Sequence, residues 1–320
     1  MNHVTRTLLA ASISLTVLGN ARAQQPARTT TIAGLQRILD AELARFPAKA
    51  GVWVKHLTTG EEAAVHGDSA FNSASVIKIP VMVLAFQMAE KGQLSLSERL
   101  TINASDFRGG SGVFRYNDPG LQPTFRDVLL QMIITSDNTA TDLAIAKVGG
   151  VEKVNAWLRT NGYADALTLN MTTADLFAKY GALPQSVNRD EKTNADRAYW
   201  LGVMTPRATG RMLEAMQRCS DGTAASPAIA TQKSCTDMVR MMRAQQSGAR
   251  RLPHFLVVPV AHKTGDFPPV LANDVGIVFA RSGPIVISFF TNAIQGSYAE
   301  AEDRIGRVAQ LIVEYFDGAQ

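Results

Sequence analysis

The chain has 320 residues, of which 46% are hydrophobic and 19% are charged. This is the composition of an ordinary globular protein, and the length suits one large domain or two smaller ones. The formal net charge is only +4, and acidic and basic residues are interspersed. Nucleic-acid binding calls for a basic stripe, which the short pair Arg250-Arg251 does not provide, so we expect no nucleic-acid partner.

Residues 1–23 have the pattern of a secretory signal peptide. Arg6 precedes a mostly apolar run from Leu8 to Leu18, and Ala21-Arg22-Ala23 fits an A-x-A cleavage site. The run is shorter than the roughly 20 residues of a membrane span. We therefore predict a mature protein that begins at Gln24, in the periplasm or secreted, with no membrane attachment. The alternative is an uncleaved anchor.

The spacing of apolar residues next predicts a series of elements in chain order. One amphipathic helix is followed by two strands, several helices, three more strands and a closing helix. The predicted bounds are Thr31–Phe46 for the first helix, Gly51–His56 and Ala63–His66 for the first strands, Val76–Lys91 and then Leu94 to Arg243 for the helices, Leu256–His262, Asp274–Ala280 and Ile285–Thr291 for the later strands, and Tyr298–Phe316 for the last helix.

Strands thus lie at both ends of the chain and helices lie between them. We predict an α+β fold in which the end strands form one antiparallel sheet, covered by the first and last helices, with an all-helical region inserted. The sheet domain would comprise residues 24–74 and 256–320, and the helical domain residues 75–255. A site is expected where the two meet.

Two cysteines, Cys219 and Cys235, flank a loop-like stretch rich in Ser, Ala and Thr. Because disulfides persist in exported proteins, we expect a bridge that closes this loop. The alternative is a pair of buried free thiols. A zinc site is disfavoured, since two cysteines with no nearby histidine make a poor ligand shell.

Ser75-Val76-Ile77-Lys78 is the first of three short motifs that carry chemistry. A serine hydroxyl is a weak nucleophile until a neighbouring group takes its proton. Lys78 lies one helical turn after Ser75, on the same face, so its amine can reach the hydroxyl. Taken alone, the pair is better explained as an N-cap serine and a solvated lysine.

The other two motifs are Ser136-Asp137-Asn138, after a helical run, and Lys263-Thr264-Gly265, at the end of an apolar strand. Ser136 would relay a proton and Asn138 would hold a substrate amide. Lys263 would hold a substrate carboxylate, while Gly265 would let the backbone approach the ligand. The backbone N–H groups of Ser75 and Asp266 are candidates for an oxyanion hole.

With these motifs in this order, the chain resembles the class A serine β-lactamases and their penicillin-binding relatives. The resemblance implies a three-layer α/β/α sandwich with a five-stranded antiparallel sheet, a helical domain, and β-lactam hydrolysis through an acyl-enzyme. Ser75 would be the nucleophile and Lys78 its base or relay. The cleft would be lined by Ser136, Asn138, Lys263, Thr264, Gly265 and Asp266.

The family usually also supplies an arginine that helps the third-motif lysine to bind the substrate carboxylate. The usual position on the following strand is Val275 here, so Arg251 is the candidate, with a solvated arginine as the alternative. Asp266 is an unusual neighbour for an oxyanion hole, because its carboxylate could repel an anionic substrate.

The deacylating glutamate is harder to place. Counting forward from Ser136 gives Thr172 or Thr173, with Asp175 as the nearest acid. Counting back from Thr205-Pro206 gives Arg189-Asp190-Glu191, where an R-x-E pattern is intact. We predict Glu191 as the base, with Asn194 helping to hold the water; a solvated charged loop is the alternative.

We therefore expect a monomeric β-lactamase that uses a small-molecule β-lactam and no cofactor or metal. One rival is a D,D-peptidase or esterase-like hydrolase that is acylated but deacylates poorly. Another is a non-catalytic protein that keeps only the binding cleft.

Overall fold

The computed structural model describes Met1 and residues 32–187, 190–224 and 229–318, with only the backbone of Ile32, Ala33 and Glu191. The predicted signal peptide after Met1 and Arg189 of the R-x-E pattern lie outside these ranges. The helices are α1 (Ile32–Ala44), α2 (Lys78–Glu90), α3 (Phe125–Ile134), α4 (Asn138–Lys147), α5 (Val151–Thr160), α6 (Thr173–Gly181), α7 (Glu191–Ala195), α8 (Pro206–Ser220), α9 (Gln232–Arg243) and α10 (Tyr298–Asp317). The strands are β1 (Lys49–His56), β2 (Glu62–Val65), β3 (Phe71–Asn72), β4 (Leu167–Leu169), β5 (Gly202–Met204), β6 (Val260–Phe267), β7 (Leu271–Ala280) and β8 (Gly283–Asn292).

Strands from the two ends of the chain share one five-stranded sheet, in the order β2-β1-β8-β7-β6. Every pairing in it is antiparallel, and β1 lies against β8 from Lys49↔Asn292 to His56↔Ile285. The predicted α+β fold with an antiparallel five-stranded sheet is therefore confirmed. A smaller sheet has the strand order β3-β5-β4, and its strand β3 directly precedes the turn into α2.

The two faces of the large sheet bury different apolar residues, as the two-residue period of a strand requires. On β1, Val52 and Val54 pack into a core with α1 and α10. Trp53 between them packs into a larger core that includes α2, α3 and α9. The sheet therefore separates two hydrophobic cores, and the third motif lies on its edge strand β6.

The predicted bounds of β6 are wrong. The apolar residues 256–259 are irregular with a bend and form no strand, and Val257 is fully exposed. Pro259 ends this stretch and Pro253 lies shortly before it, and proline cannot donate a ladder hydrogen bond. The strand instead runs through the third motif, with Lys263 opposite Val275, up to Phe267 opposite Leu271.

The proposed division at residues 75 and 255 remains a prediction, because helices of the 75–255 segment also cover the sheet. α8 contacts β1, β7 and β8, and α9 contacts β6. Among the residues that the structure describes, no helix combines the length and the apolar character needed to cross a bilayer.

The expected disulfide between Cys219 and Cys235 is present. It joins the last turn of α8 to the first turn of α9, and both residues are buried, at 3% and 0% exposure. The bridge therefore ties a helix that packs on the centre of the sheet to one that packs on the edge strand.

Replacing both cysteines with alanine should lower the free energy of unfolding by about 3 kcal/mol, since the bridge closes a loop between residues 16 apart and so restricts the unfolded chain. Urea denaturation of the oxidised protein and of the variant measures this. Two titratable thiols in the denatured, unreduced protein would contradict the bridge.

Candidate active site

Ser75 lies on a turn that carries the chain from β3 into α2. Ala74 has a φ of +40°, a left-handed conformation that costs a residue with a side chain on the order of 1–3 kcal/mol. The Asn72 side chain accepts a hydrogen bond from the Ala74 N–H at 3.0 Å, which supports this conformation. A 3₁₀ helix, Ala74–Ile77, begins at this residue and leads directly into α2. The strained turn presents Ser75 to a cavity.

The edge of the sheet holds this turn from behind. The amide of Asn273 on β7 donates to the carbonyl oxygens of Asn72 and Ser73, at 2.8 and 3.2 Å. A Cβ atom at Gly265 would come within 2.7 Å of the Ser73 carbonyl oxygen. Gly265 is thus needed for close approach between β6 and the nucleophile turn, whereas we predicted an approach to the ligand.

Two buried lysines meet at Ser136. Lys78 Nζ donates to the Ser136 carbonyl at 2.7 Å, to Ser136 Oγ at 3.2 Å and to Asn138 Oδ1 at 3.0 Å. Lys263 Nζ donates to Ser136 Oγ at 3.0 Å and to the Thr264 carbonyl at 2.8 Å. Both lysines are 0% exposed. The three motifs therefore converge on one hydroxyl group.

Burial and the nearby charge of Lys263 lower the pKa of Lys78 well below its usual value. Burial also lowers the pKa of Lys263 to about 8. A lysine with a lowered pKa supplies a neutral amine near neutral pH, which is what a general base requires. Lys78 is thus suited to accept a proton, and Lys263 keeps its charge up to mildly basic pH.

Asp137 fixes the second motif without facing the cavity. Its carboxylate accepts from the N–H groups of Val113 and Phe114, at 2.6 and 2.8 Å, and caps α4 through the Ala140 N–H at 2.8 Å. Ser136, directly before it, has a φ of +55°. The carboxylate therefore joins the loop before α3 to the start of α4 and holds Ser136 in its unusual conformation.

The cavity beside Ser75 has a volume of about 330 Å³. Its polar part includes Ser75 and Asn138 of the motifs, while the rest of the lining is largely apolar and aromatic. The residues that line it are Asn72, Ala74, Ser75, Gly110, Ser111, Asn138, Thr173, Leu176, Phe177, Tyr180, Tyr199, Leu201, Asp266, Phe267 and Pro268.

α6 forms much of the apolar wall. Thr173, Leu176, Phe177 and Tyr180 follow the i, i+3, i+4, i+7 spacing of one helix face. The start of this helix is bound to α4, because the Asp142 carboxylate accepts from the N–H groups of Thr173 and Ala174, at 2.8 and 3.0 Å. The wall is therefore positioned by the helix that carries Asn138.

Asp266 lies at the cavity's edge with its carboxylate 37% exposed, and the buried Arg251 pairs with it from behind. Burial would raise the pKa of Asp266, but the positive charge of Arg251 outweighs it and lowers the pKa. Arg251 also donates to Glu302 at 3.0 Å and to the Asn273 carbonyl at 2.8 Å. It is only 1% exposed. Its donors are directed at the protein, so a direct contact with substrate, which we predicted, does not fit this geometry.

The structure places the remaining predicted residues in different surroundings. Thr264 is fully buried and its hydroxyl lies 2.8 Å from Ser247 Oγ. Asp175 is exposed and caps α6 by accepting from the Thr172 N–H and hydroxyl, at 3.1 and 2.6 Å. The amide of Asn194 donates to the Asp190 carbonyl at 2.8 Å. The side chain of Glu191 lies outside the described atoms.

Within the described ranges, no group of three or more His, Cys, Asp or Glu side chains is arranged to hold a metal ion. His262 and Asp274 form a hydrogen-bonded pair at 2.9 Å, and both side chains are buried in the sheet.

The sequence profile described as "Beta-lactamase enzyme family" matches residues 34–316. This chain belongs to that family. The β-lactamase VEB-1 of Pseudomonas aeruginosa is 23% identical over 292 residues, which cover 88% of this chain and 89% of the relative. The resemblance to class A serine β-lactamases is therefore confirmed.

Solved structures agree with this fold. A β-lactamase from Chitinophaga pinensis has a TM-score of 0.73 and 22% identity, over 89% of this chain and 99% of its own. An acyl-enzyme complex of a PBP-A variant with penicillin G has a TM-score of 0.72 and 24% identity, over 92% and 99%. At these identities the likeness shows the fold that the family members share.

Asn273 and Asp142 were missed from the sequence. Each is a single polar residue that acts on a segment distant in the chain, and neither belongs to a motif. The only signal was weak: Asn273-Asp274 interrupts an apolar strand pattern, and a polar pair that is buried in a strand must find partners.

If Lys263 holds the substrate carboxylate, as we predict, the rate constant for acylation by a carboxylate-bearing β-lactam should fall as pH rises above about 8, because Lys263 then loses its charge. Stopped-flow measurements between about pH 6 and 10 test this. In Lys263→Arg the fall should vanish, since arginine stays protonated throughout. A flat wild-type profile would contradict the assignment.

Proposed function

We propose that this protein hydrolyses β-lactams through an acyl-enzyme on Ser75. The observation that carries the proposal is the convergence of Lys78 and Lys263 on Ser136 Oγ, next to a cavity that Ser75 lines. A nucleophile, a buried amine with a lowered pKa and a hydroxyl relay are the groups that serine acyl transfer needs.

In the first half-reaction, neutral Lys78 accepts the proton of Ser75 as the hydroxyl attacks the lactam carbonyl. The N–H groups of Ser75 and Asp266 stabilise the oxyanion. Ser136 then donates its proton to the departing lactam nitrogen and regains one from Lys78, so that Lys78 is neutral again. Charged Lys263 holds the substrate carboxylate, and Asn138 lines the path of the acyl side chain.

The second half-reaction needs a base that activates water against the ester. We propose Glu191 for this role, on the R-x-E pattern of the sequence. Asp190 caps α7 through the Thr193 N–H at 2.7 Å, which places Glu191 in the first turn of that helix. Asp175 is less suitable, because its carboxylate is held by Thr172 at the exposed start of α6.

A second candidate function is that of a penicillin-binding acyltransferase that deacylates slowly. It is favoured by α6, whose cavity-facing residues Thr173, Leu176 and Phe177 carry no carboxylate. The similar PBP-A structure contains a penicillin acyl-enzyme. The two candidates differ only in the fate of the ester.

For either candidate we propose that the protein works in the periplasm or outside the cell as a monomer. The A-x-A site at Ala21–Ala23 and the Cys219–Cys235 bridge support export.

A chromogenic cephalosporin distinguishes the proposals. Continuous turnover supports the β-lactamase, a stoichiometric burst with a lasting adduct supports the slow acyltransferase, and no reaction supports a non-catalytic cleft. Ser75→Ala should abolish both colour change and adduct, by intact mass, with unchanged thermal unfolding. An adduct that persists in this variant would exclude Ser75 as the nucleophile.

Glu191→Gln should leave acylation nearly intact and lower turnover by roughly 100-fold to 10,000-fold, since only the deacylating base is lost. The acyl-enzyme should then accumulate and be visible by mass spectrometry. Asp175→Asn is the matched control and should turn over normally. If Glu191→Gln turns over as fast as wild type, the base is another group.

A further inference from the structure

Asp266 is the only carboxylate among the described residues that line the cavity. The groups that act on Ser75 lie on the cationic side of the site, where Lys78 and Lys263 meet Ser136. Asp266 follows the third motif directly and occupies the edge of the same cavity. The described lining of the cavity therefore carries one negative charge, that of Asp266, while the two lysine side chains are buried next to it.

Arg251 does not cancel the charge at the negative end. Its guanidinium is shared between the carboxylates of Asp266 and Glu302, so one positive charge faces two negative ones. Arg251 is 2% exposed in its side chain and Glu302 is 16% exposed, whereas Asp266 is 37% exposed. The carboxylate of this cluster that a ligand in the cavity can reach is thus that of Asp266.

The wall next to Asp266 is aromatic. The rings of Tyr180 and Phe267 lie 5.1 Å apart, and those of Tyr180 and Tyr199 lie 5.5 Å apart. All three residues line the cavity. Aromatic faces beside a carboxylate favour an organic cation, through attraction to the ring and to the charge.

We propose that Asp266 makes the cleft select substrates whose acyl side chain carries an ammonium group. The inference rests on the proposed acyl transfer at Ser75. Lys263 would take the substrate carboxylate and Asp266 the ammonium, so the preferred substrate is a zwitterion. The same preference would apply to a β-lactam or to a peptide amide with a free amino group.

Ampicillin and benzylpenicillin provide a matched pair, because they differ by one α-amino group on the same phenylacetyl side chain. The readout is the ratio of their second-order acylation rate constants, measured at a pH below the usual α-amino pKa of about 7.7–8.0. Changes in the reactivity of Ser75 affect both compounds and cancel in this ratio. In Asp266→Asn the ratio should fall roughly 2- to 5-fold, the scale of a partly exposed ion pair.

Two further variants distinguish the effect of the Asp266 charge at the cavity from the effect of losing a carboxylate partner of Arg251. Asp266→Glu should keep the preference, because the charge stays at the cavity. Glu302→Gln leaves Arg251 to Asp266 alone, away from the cavity, and should lower the ratio by less than Asp266→Asn does, because the carboxylate at the cavity stays in place. An unchanged ratio in Asp266→Asn, or an equal change in Glu302→Gln, would overturn the proposal.

If Asp266→Asn does not fold, salt provides the test on the wild-type protein. The ratio should fall as sodium chloride rises from about 0.05 M to 0.5 M, since an exposed pair is screened; a constant ratio would overturn the proposal. Equal acylation by both penicillins in wild type contradicts this inference alone. Absence of any adduct contradicts the proposed function and this inference with it.

Discussion

The site depends on the burial of two lysine side chains against one serine hydroxyl. A buried charge is costly unless it is hydrogen-bonded and paired. Lys78 finds three oxygen acceptors in Ser136 and Asn138 but no carboxylate among them, and burial together with the charge of Lys263 favours its neutral amine. The left-handed backbone of Ser136 brings its carbonyl and its hydroxyl to the same amine. The strained backbone of Ser136 thus determines which acceptors surround the Lys78 amine.

The same reasoning connects the catalytic residues to the sheet. Ser75 is presented by a second strained turn, at Ala74, and that turn is bound by Asn273 from β7 and packed against Gly265 of β6. The hydrogen-bonded pairing of β6 with β7 therefore sets the distance between the nucleophile turn and Lys263. Catalytic geometry here is a property of the sheet edge as much as of the helices.

Periodicity predicted most elements because buried strands and amphipathic helices carry strong patterns, as for β1, β8 and α10. The predicted start of β6 was too early. The apolar run near Pro253 and Pro259 has the composition of a strand, but proline lacks the backbone N–H that a strand needs for its ladder hydrogen bonds. The motifs identified the residues that meet at Ser136. Arg251 was predicted to lie in the cleft because it precedes the third motif in the sequence. Its burial beneath Asp266 instead depends on Glu302 of α10, which is distant in sequence and gives no local signal.

One carboxylate, that of Asp142, also determines how the mouth of the cleft behaves mechanically. It binds the N-terminus of α6 and, at 2.8 Å, the guanidinium of Arg108, which precedes the loop with Gly110 and Ser111. The two rims of the cavity therefore share a single anchor on α4. A bulky ligand that displaces one rim also strains the contacts of the other rim at Asp142. We therefore expect the two rims to move together rather than independently.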